Sequence, residues 1–189
     1  MRKPLGPYRR WLILLLVGPS LVLGSYLGYV QEQGNFHIVA PDRMYRSRQL
    51  DKAELIHYIT TYQIKSIVNL RGENTESEWY QDEIRVGHEL GVTHHDYGIS
   101  ANRDVLDEDL NAILIILRDA PKPILIHCKS GADRTGLIAG LNQYAQGGRS
   151  AEEAAGQLSI VYGHLPFFWN STAAMDRTFW RYVSTHARS

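Results

Sequence analysis

The sequence predicts an α/β fold: a largely parallel central sheet of about 4–5 strands, flanked by helices. Three observations lead there. Short β-branched runs, IKSIVNL at 64–70 and ILIH at 124–127, read as buried strands. Amphipathic helical segments separate them, and strands joined through helices pair in parallel with helices on both faces. A loop of small and polar residues, HCKSGADRTG at 127–136, lies between a strand and a helix, where sheets of this kind bind ligands.

The first ten residues form a basic flank with Arg2, Lys3, Arg9 and Arg10. Residues 11–30, WLILLLVGPSLVLGSYLGYV, carry no charge and as a helix would span about 30 Å, the thickness of a bilayer's hydrocarbon core. Gly18-Pro19 would kink that helix, which membrane helices tolerate. Trp11, Tyr26 and Tyr29 stand near its ends, where interfacial aromatics belong. A single transmembrane anchor over 11–30 is therefore expected. The basic end would be cytoplasmic and everything after Val30 outside, in the periplasm of a bacterium. A signal peptide cleaved near Val22-Leu23-Gly24 is the alternative, leaving an exported soluble protein. Residues 31–40 read as a linker and 41–189 as one domain.

Strand candidates at 36–39 and 44–46 bracket Pro41-Asp42. Asp51 caps a helix over 51–62, where Leu55, Ile56, Ile59 and Tyr62 recur at helical spacing. The strand 64–70 ends at Arg71-Gly72-Glu73-Asn74. A charged amphipathic helix over 78–90 stops at Gly91, and 92–97 is a further strand. The loop 98–104 leads to Asp107, read as the cap of a helix over 108–120 whose apolar face is Leu110, Ile113, Leu114 and Leu117. Pro121 and Pro123 stop it before the strand 124–127. Helices follow at 135–146, at 150–158 with a Ser150/Glu153 capping box, and at 172–186. The aromatics Phe167, Phe168, Trp169, Phe179, Trp180 and Tyr182 read as packing for the last helix. Asn170-Ser171-Thr172 fits both a glycosylation site and a helix N-cap.

Composition removes several function classes. The 189 residues hold 20 Lys+Arg and 20 Asp+Glu, so no basic surface for nucleic acid is expected. One cysteine excludes an intramolecular disulfide framework and a multi-cysteine zinc site. His94-His95-Asp96 suggests a metal cluster, but adjacent strand residues point to opposite faces and do not share an ion. No metal or cofactor is expected.

The loop 127–136 carries the chemistry. After a buried strand, its backbone can curl so that successive N–H groups converge, and the following helix adds its dipole. Gly131 permits close approach to an oxyanion, with Ser130 and Ala132 beside it. Arg134 grips two phosphate oxygens through its planar fork. Cys128 lies in the same positive field, which favours its thiolate. Thr135 is placed to hydrogen-bond the sulfur, and His127 to orient the cysteine.

His-Cys-x5-Arg-Thr resembles the signature of the cysteine-dependent tyrosine and dual-specificity phosphatases. Tyr45-Arg46-Ser47 and Ile67-Val68-Asn69-Leu70-Arg71 extend the resemblance to their compact bacterial and fungal forms, over about residues 40–148. The resemblance implies a phosphatase domain in which Cys128 attacks phosphorus and an acid protonates the leaving oxygen. In that family the acid usually stands on the loop before the helix that precedes the cysteine strand. Here Asp104 is ranked first; Asp107 reads as a helix cap and Asp96 as structural. Asp133, directly before Arg134, is the second candidate, because members resembling phosphoinositide phosphatases carry an aspartate there. Lys129 and Lys65 add positive charge, Lys129 within the loop. Arg71 faces the pocket rim or pairs with a carboxylate. The expected partner is a phosphorylated protein; the alternative is a phospholipid or inositol phosphate at a membrane surface. A non-catalytic phosphate-binding module would lack an acid, and two candidates are present.

Overall fold

A computed structural model describes residues 7–166 and 172–186. Helix α1 (Pro7–Glu32) leads into the strands β1 (His37–Ala40) and β2 (Met44–Ser47). Then come α2 (Lys52–Tyr62), β3 (Ser66–Asn69), α3 (Glu78–Glu89), β4 (Thr93–Asp96), α4 (Asp107–Asp119) and β5 (Ile124–His127). The chain ends in α5 (Asp133–Ala145), the short α6 (Ala151–Ala155), a 3-10 turn over Ile160–Tyr162, and α7 (Ala173–Thr185).

The five strands lie in the order β1-β2-β5-β3-β4. All neighbours are parallel except β1, which runs antiparallel along the β2 edge. The expected sheet is therefore present. Alternation of side chains divides its two cores. Val68, Ile124 and Ile126 pack with α4, α5 and α7 on one face, whereas Ile67 and Leu125 pack with α2 and α3 on the other. Register puts Ser47, His127 and Asn69 side by side at the C-terminal ends of β2, β5 and β3. The loop after β5 opens above that row.

The capping boxes at Asp51/Glu54 and Ser150/Glu153 both form. Met175, Phe179 and Tyr182 of α7 are buried, as packing residues should be, while Trp180 is exposed. Phe167, Phe168, Trp169, Asn170 and Ser171 lie outside the described residues.

Three expectations change. The helix read over 150–158 closes at Ala155, with Gly156 as its C-cap. Asp107 is the first residue of α4 rather than its cap; its carboxylate accepts from Arg181 at 2.9 Å, and Leu106 occupies the cap position. The third concerns 11–30, whose reading as a membrane anchor gains no support among the described residues. The last turns of α1 belong to the domain: Val30 is buried, the Tyr26 hydroxyl donates to the Val161 carbonyl at 3.0 Å, and Gln31 donates to the Ser130 carbonyl at 3.1 Å. Among the described residues, no helix is long and apolar enough to cross a membrane.

Candidate active site

The site is the loop from Cys128 to Arg134, held between β5 and α5. Four of its carbonyls, from Lys129 to Ala132, are engaged from behind. The Lys129 carbonyl accepts from Gln49 N at 3.3 Å. The Ser130 carbonyl accepts from Gln31 and Asn35 side chains at 3.1 and 2.9 Å. Arg46 donates through one terminal nitrogen to the Gly131 and Ala132 carbonyls at 2.7 and 3.3 Å. With four successive carbonyls engaged behind the loop, the N–H groups of Lys129, Ser130 and Gly131 face away from the scaffold and have no backbone acceptor among the described residues. This is the geometry of an anion cradle at a helix N-terminus.

Gly131 makes the turn possible. Its φ is +72°, and a Cβ there would stand 2.7 Å from the Ser47 and Arg48 backbone. Arg46 is fully buried, donates through its other terminal nitrogen to both oxygens of Gln157, and lies 3.9 Å over the Tyr162 ring. Burial lowers its pKa to about 10, opposed by Tyr162 and Cys128, so it is still a cation at neutral pH.

Arg134 reaches over the cradle and donates to the Leu70 and Ile99 carbonyls at 3.2 and 3.3 Å. Cys128 is buried at the base of the loop. Among the described residues, the Thr135 hydroxyl and Arg134 Nε are buried without a protein partner, as donors reserved for a ligand would be. His127 donates to Glu83 through Nε2 at 3.1 Å, and Glu83 also meets His94 at 2.8 Å and accepts from Gln49 at 2.9 Å. Burial would raise the pKa of Glu83, but the charge and hydrogen bond of His127, with bonds from His94 and Gln49, hold it well below the usual carboxylate range.

The two acid candidates lie in different settings. Asp104 pairs with Arg177 of α7 at 2.7 Å, with both side chains exposed. Asp133 accepts from the buried His164 at 2.7 Å, and the other ring nitrogen of His164 bonds Asp176 at 2.9 Å. Burial works against the charged imidazole, but the bonds to Asp133 and Asp176 raise its pKa to about 9. A protonated His164 donates to both carboxylates, so Asp133 serves as an acceptor.

These contacts were not legible in the sequence for Arg46, Glu83, His164 and Asp176. Only Arg46 left a trace, as a charge inside a strand whose four residues are all buried. Lys65 is displaced from its expected place: it precedes β3, at the end of the sheet opposite the cradle. Among the described residues Arg71 pairs with no carboxylate; it stacks on Trp79 and bonds Gln49. Asp96 is structural, accepting from Asn69 and Tyr80 at 2.7 and 2.6 Å. Among the described residues, no group of three or more His, Cys, Asp or Glu is arranged to hold a metal ion.

The model of the tyrosine phosphatase family matches residues 26–152, more than half of the chain and the whole cradle. The chain belongs to the tyrosine phosphatase family. This chain shares the fold of TpbA from P. aeruginosa, solved in complex with pTyr: TM-score 0.60 at 20% identity, covering 77% of this chain and 83% of that one. It shares it equally with the catalytic core of the PP-IP phosphatase SIW14 from S. cerevisiae: TM-score 0.61 at 22% identity, covering 80% and 91%. By sequence it is 28% identical over 93 residues to inositol diphosphatase DSP2 of Oryza sativa subsp. japonica, covering 47% of this chain and 44% of that protein. The chain thus spans less than half the length of that curated relative.

Proposed function

We propose that this phosphatase hydrolyses phosphate monoesters through a cysteinyl-phosphate on Cys128, with phosphotyrosine or other phosphorylated side chains of proteins as its substrates. The observation that carries this is the cradle: four outward carbonyls and a buried cysteine beneath an arginine that has no carboxylate partner. A phosphoryl group seated there meets converging N–H groups from Lys129, Ser130, Gly131 and Ala132 and the fork of Arg134.

The Cys128 thiolate forms an S–P bond in line with the departing ester oxygen. The P–O bond breaks, and Asp104 gives its proton to that oxygen. Water then attacks the same phosphorus, the P–S bond breaks, and Asp104 takes the water's proton back. Thr135 supports the sulfur as it leaves. Asp104 suits proton transfer because its exposed pair with Arg177 contributes only about 0–1 kcal/mol and opens at little cost. Asp133 is engaged as an acceptor by His164 and holds the start of α5 instead.

The test is turnover of p-nitrophenyl phosphate by the full chain. Activity that disappears in Cys128→Ser supports the reading, and undiminished activity in that variant refutes it. Asp104→Asn should remove the alkaline limb of the kcat–pH profile; Asp133→Asn should leave that limb in place.

A second reading has one observation in its favour. Arg46, Arg71, Lys129 and Arg134 surround the loop, and none has a carboxylate in ion-pair range among the described residues. Nearby Glu83 and Asp133 are matched by histidines. Such a field suits a small substrate bearing several phosphates, such as an inositol phosphate. Comparing kcat/KM on a phosphotyrosine peptide and on inositol phosphates decides between the two.

A further inference from the structure

The sequence Asn69-Leu70-Arg71-Gly72 closes the end of β3 into a rigid turn beside the cradle. The Asn69 side chain accepts from Arg71 N at 2.9 Å and donates to the Gly72 carbonyl at 3.0 Å and to Asp96 at 2.7 Å. Gly72, at φ +80°, lies against Gly98, where an added Cβ would meet Gly98 Cα at 3.0 Å. The backbone that carries Arg71 is therefore fixed from both sides.

From this turn the Arg71 side chain runs along the cradle. Its guanidinium lies flat on Trp79, 3.6 Å from the ring centroid. One terminal nitrogen donates to Gln49 at 3.3 Å, and Gln49 N in turn donates to the Lys129 carbonyl of the cradle at 3.3 Å. On the other side, Arg134 rests on the carbonyl of Leu70, the residue directly before Arg71. Stacking covers one face of Arg71 and leaves hydrogen-bonding edges available: neither Nε nor the second terminal nitrogen has a protein acceptor among the described residues.

Two guanidinium groups held this way repel each other. Burial, and next the charge of Arg134, lower the pKa of Arg71, against weaker support from Glu83 and Cys128. Glu83 does not relieve the repulsion by direct pairing, because its oxygens are taken by His127, His94 and Gln49. A preorganised cation without a counter-charge, stacked beside an oxyanion cradle, is the usual form of an anion subsite.

We propose that Arg71, on its Trp79 platform, forms a second anion subsite that takes a phosphate carried by the substrate next to the one seated over Cys128. Arg71 is then a specificity-determining residue for substrates with adjacent phosphates. This rests on the cradle reading above and deepens its second substrate class.

The experiment is calorimetric titration of inorganic phosphate and of pyrophosphate into the full chain carrying Cys128→Ser, which leaves the arginines in place and removes turnover. Pyrophosphate should bind roughly tenfold or more tighter than phosphate, the yield of one charge-assisted contact. Adding Arg71→Gln should collapse that preference several-fold while changing the affinity for phosphate much less. Arg71→Lys keeps the charge and loses the flat stacking face, so it should lie between the two, and it carries the test if Arg71→Gln does not fold. Equal affinity for both ligands, or a preference that survives both substitutions, overturns the subsite and leaves the cradle standing. Failure of both ligands to bind overturns the cradle reading and the subsite with it.

Discussion

At the scale of single residues, the cradle depends on two positions that never touch substrate through a side chain. Gly131→Ala places a Cβ 2.7 Å from the Ser47 and Arg48 backbone, in a φ region that disfavours side chains. The loop must shift, and its N–H groups with it. We expect kcat/KM to fall roughly 100-fold, the order seen when one oxyanion donor is lost, as measured with p-nitrophenyl phosphate. Arg46→Met should act on stability as well. It leaves the Gly131 and Gln157 carbonyls without their donor, at about 1–3 kcal/mol for each that stays buried and unsatisfied. Chemical denaturation checks this, and a loss below 1 kcal/mol would mean that water takes over the role.

At the scale of elements, α7 is the brace for the whole site. Thr178 accepts from Val105 N at 3.1 Å, Arg181 donates to the Val105 carbonyl and to Asp107, and Arg177 holds Asp104. His164 ties α7 to the start of α5 through Asp176 and Asp133. Because His164 is raised from 6.5 to about 9 in the folded chain, its contribution is complete below pH about 6.5 and is lost as pH rises through about 9. That contribution is on the order of 3 kcal/mol. Stability measured from pH 6 to 10 should fall across this window, and His164→Gln should flatten the fall. A wild-type curve level to pH 10 would contradict the bridge. Arg177→Ala, by contrast, breaks an exposed pair and should cost less than about 1 kcal/mol.

At the scale of the whole molecule, the sheet, its helices and the cradle were legible because each rests on local signals. Short β-branched runs mark β3 and β5, the Asp51 cap marks α2, the Ser150/Glu153 capping box marks α6, and ten contiguous residues spell out the nucleophile and clamp. What sequence reading missed is held by partner choice across the fold. Nothing near His164 announces that Asp133 lies 31 positions away and 2.7 Å distant, and nothing near Glu83 announces His127. The N-terminal apolar run is a related case. Hydropathy reports how apolar 11–30 is, but not that Tyr26 and Val30 are already packed on the domain and Gln31 on the cradle. A chain beginning at residue 26 should keep the melting temperature and turnover of the full chain. One beginning at residue 36 loses Gln31 and Asn35 behind Ser130 and should melt lower and turn over more slowly.

The central claim is that Cys128 carries the phosphoryl group during turnover. Rapid acid quench of the Asp104→Asn variant during p-nitrophenyl phosphate hydrolysis, followed by mass spectrometry of the Cys128 peptide, tests it most directly. Slowing the hydrolytic step should let one phosphoryl group per chain accumulate on that cysteine. Continued turnover with no phosphoryl group on Cys128 at any quench time would contradict the account.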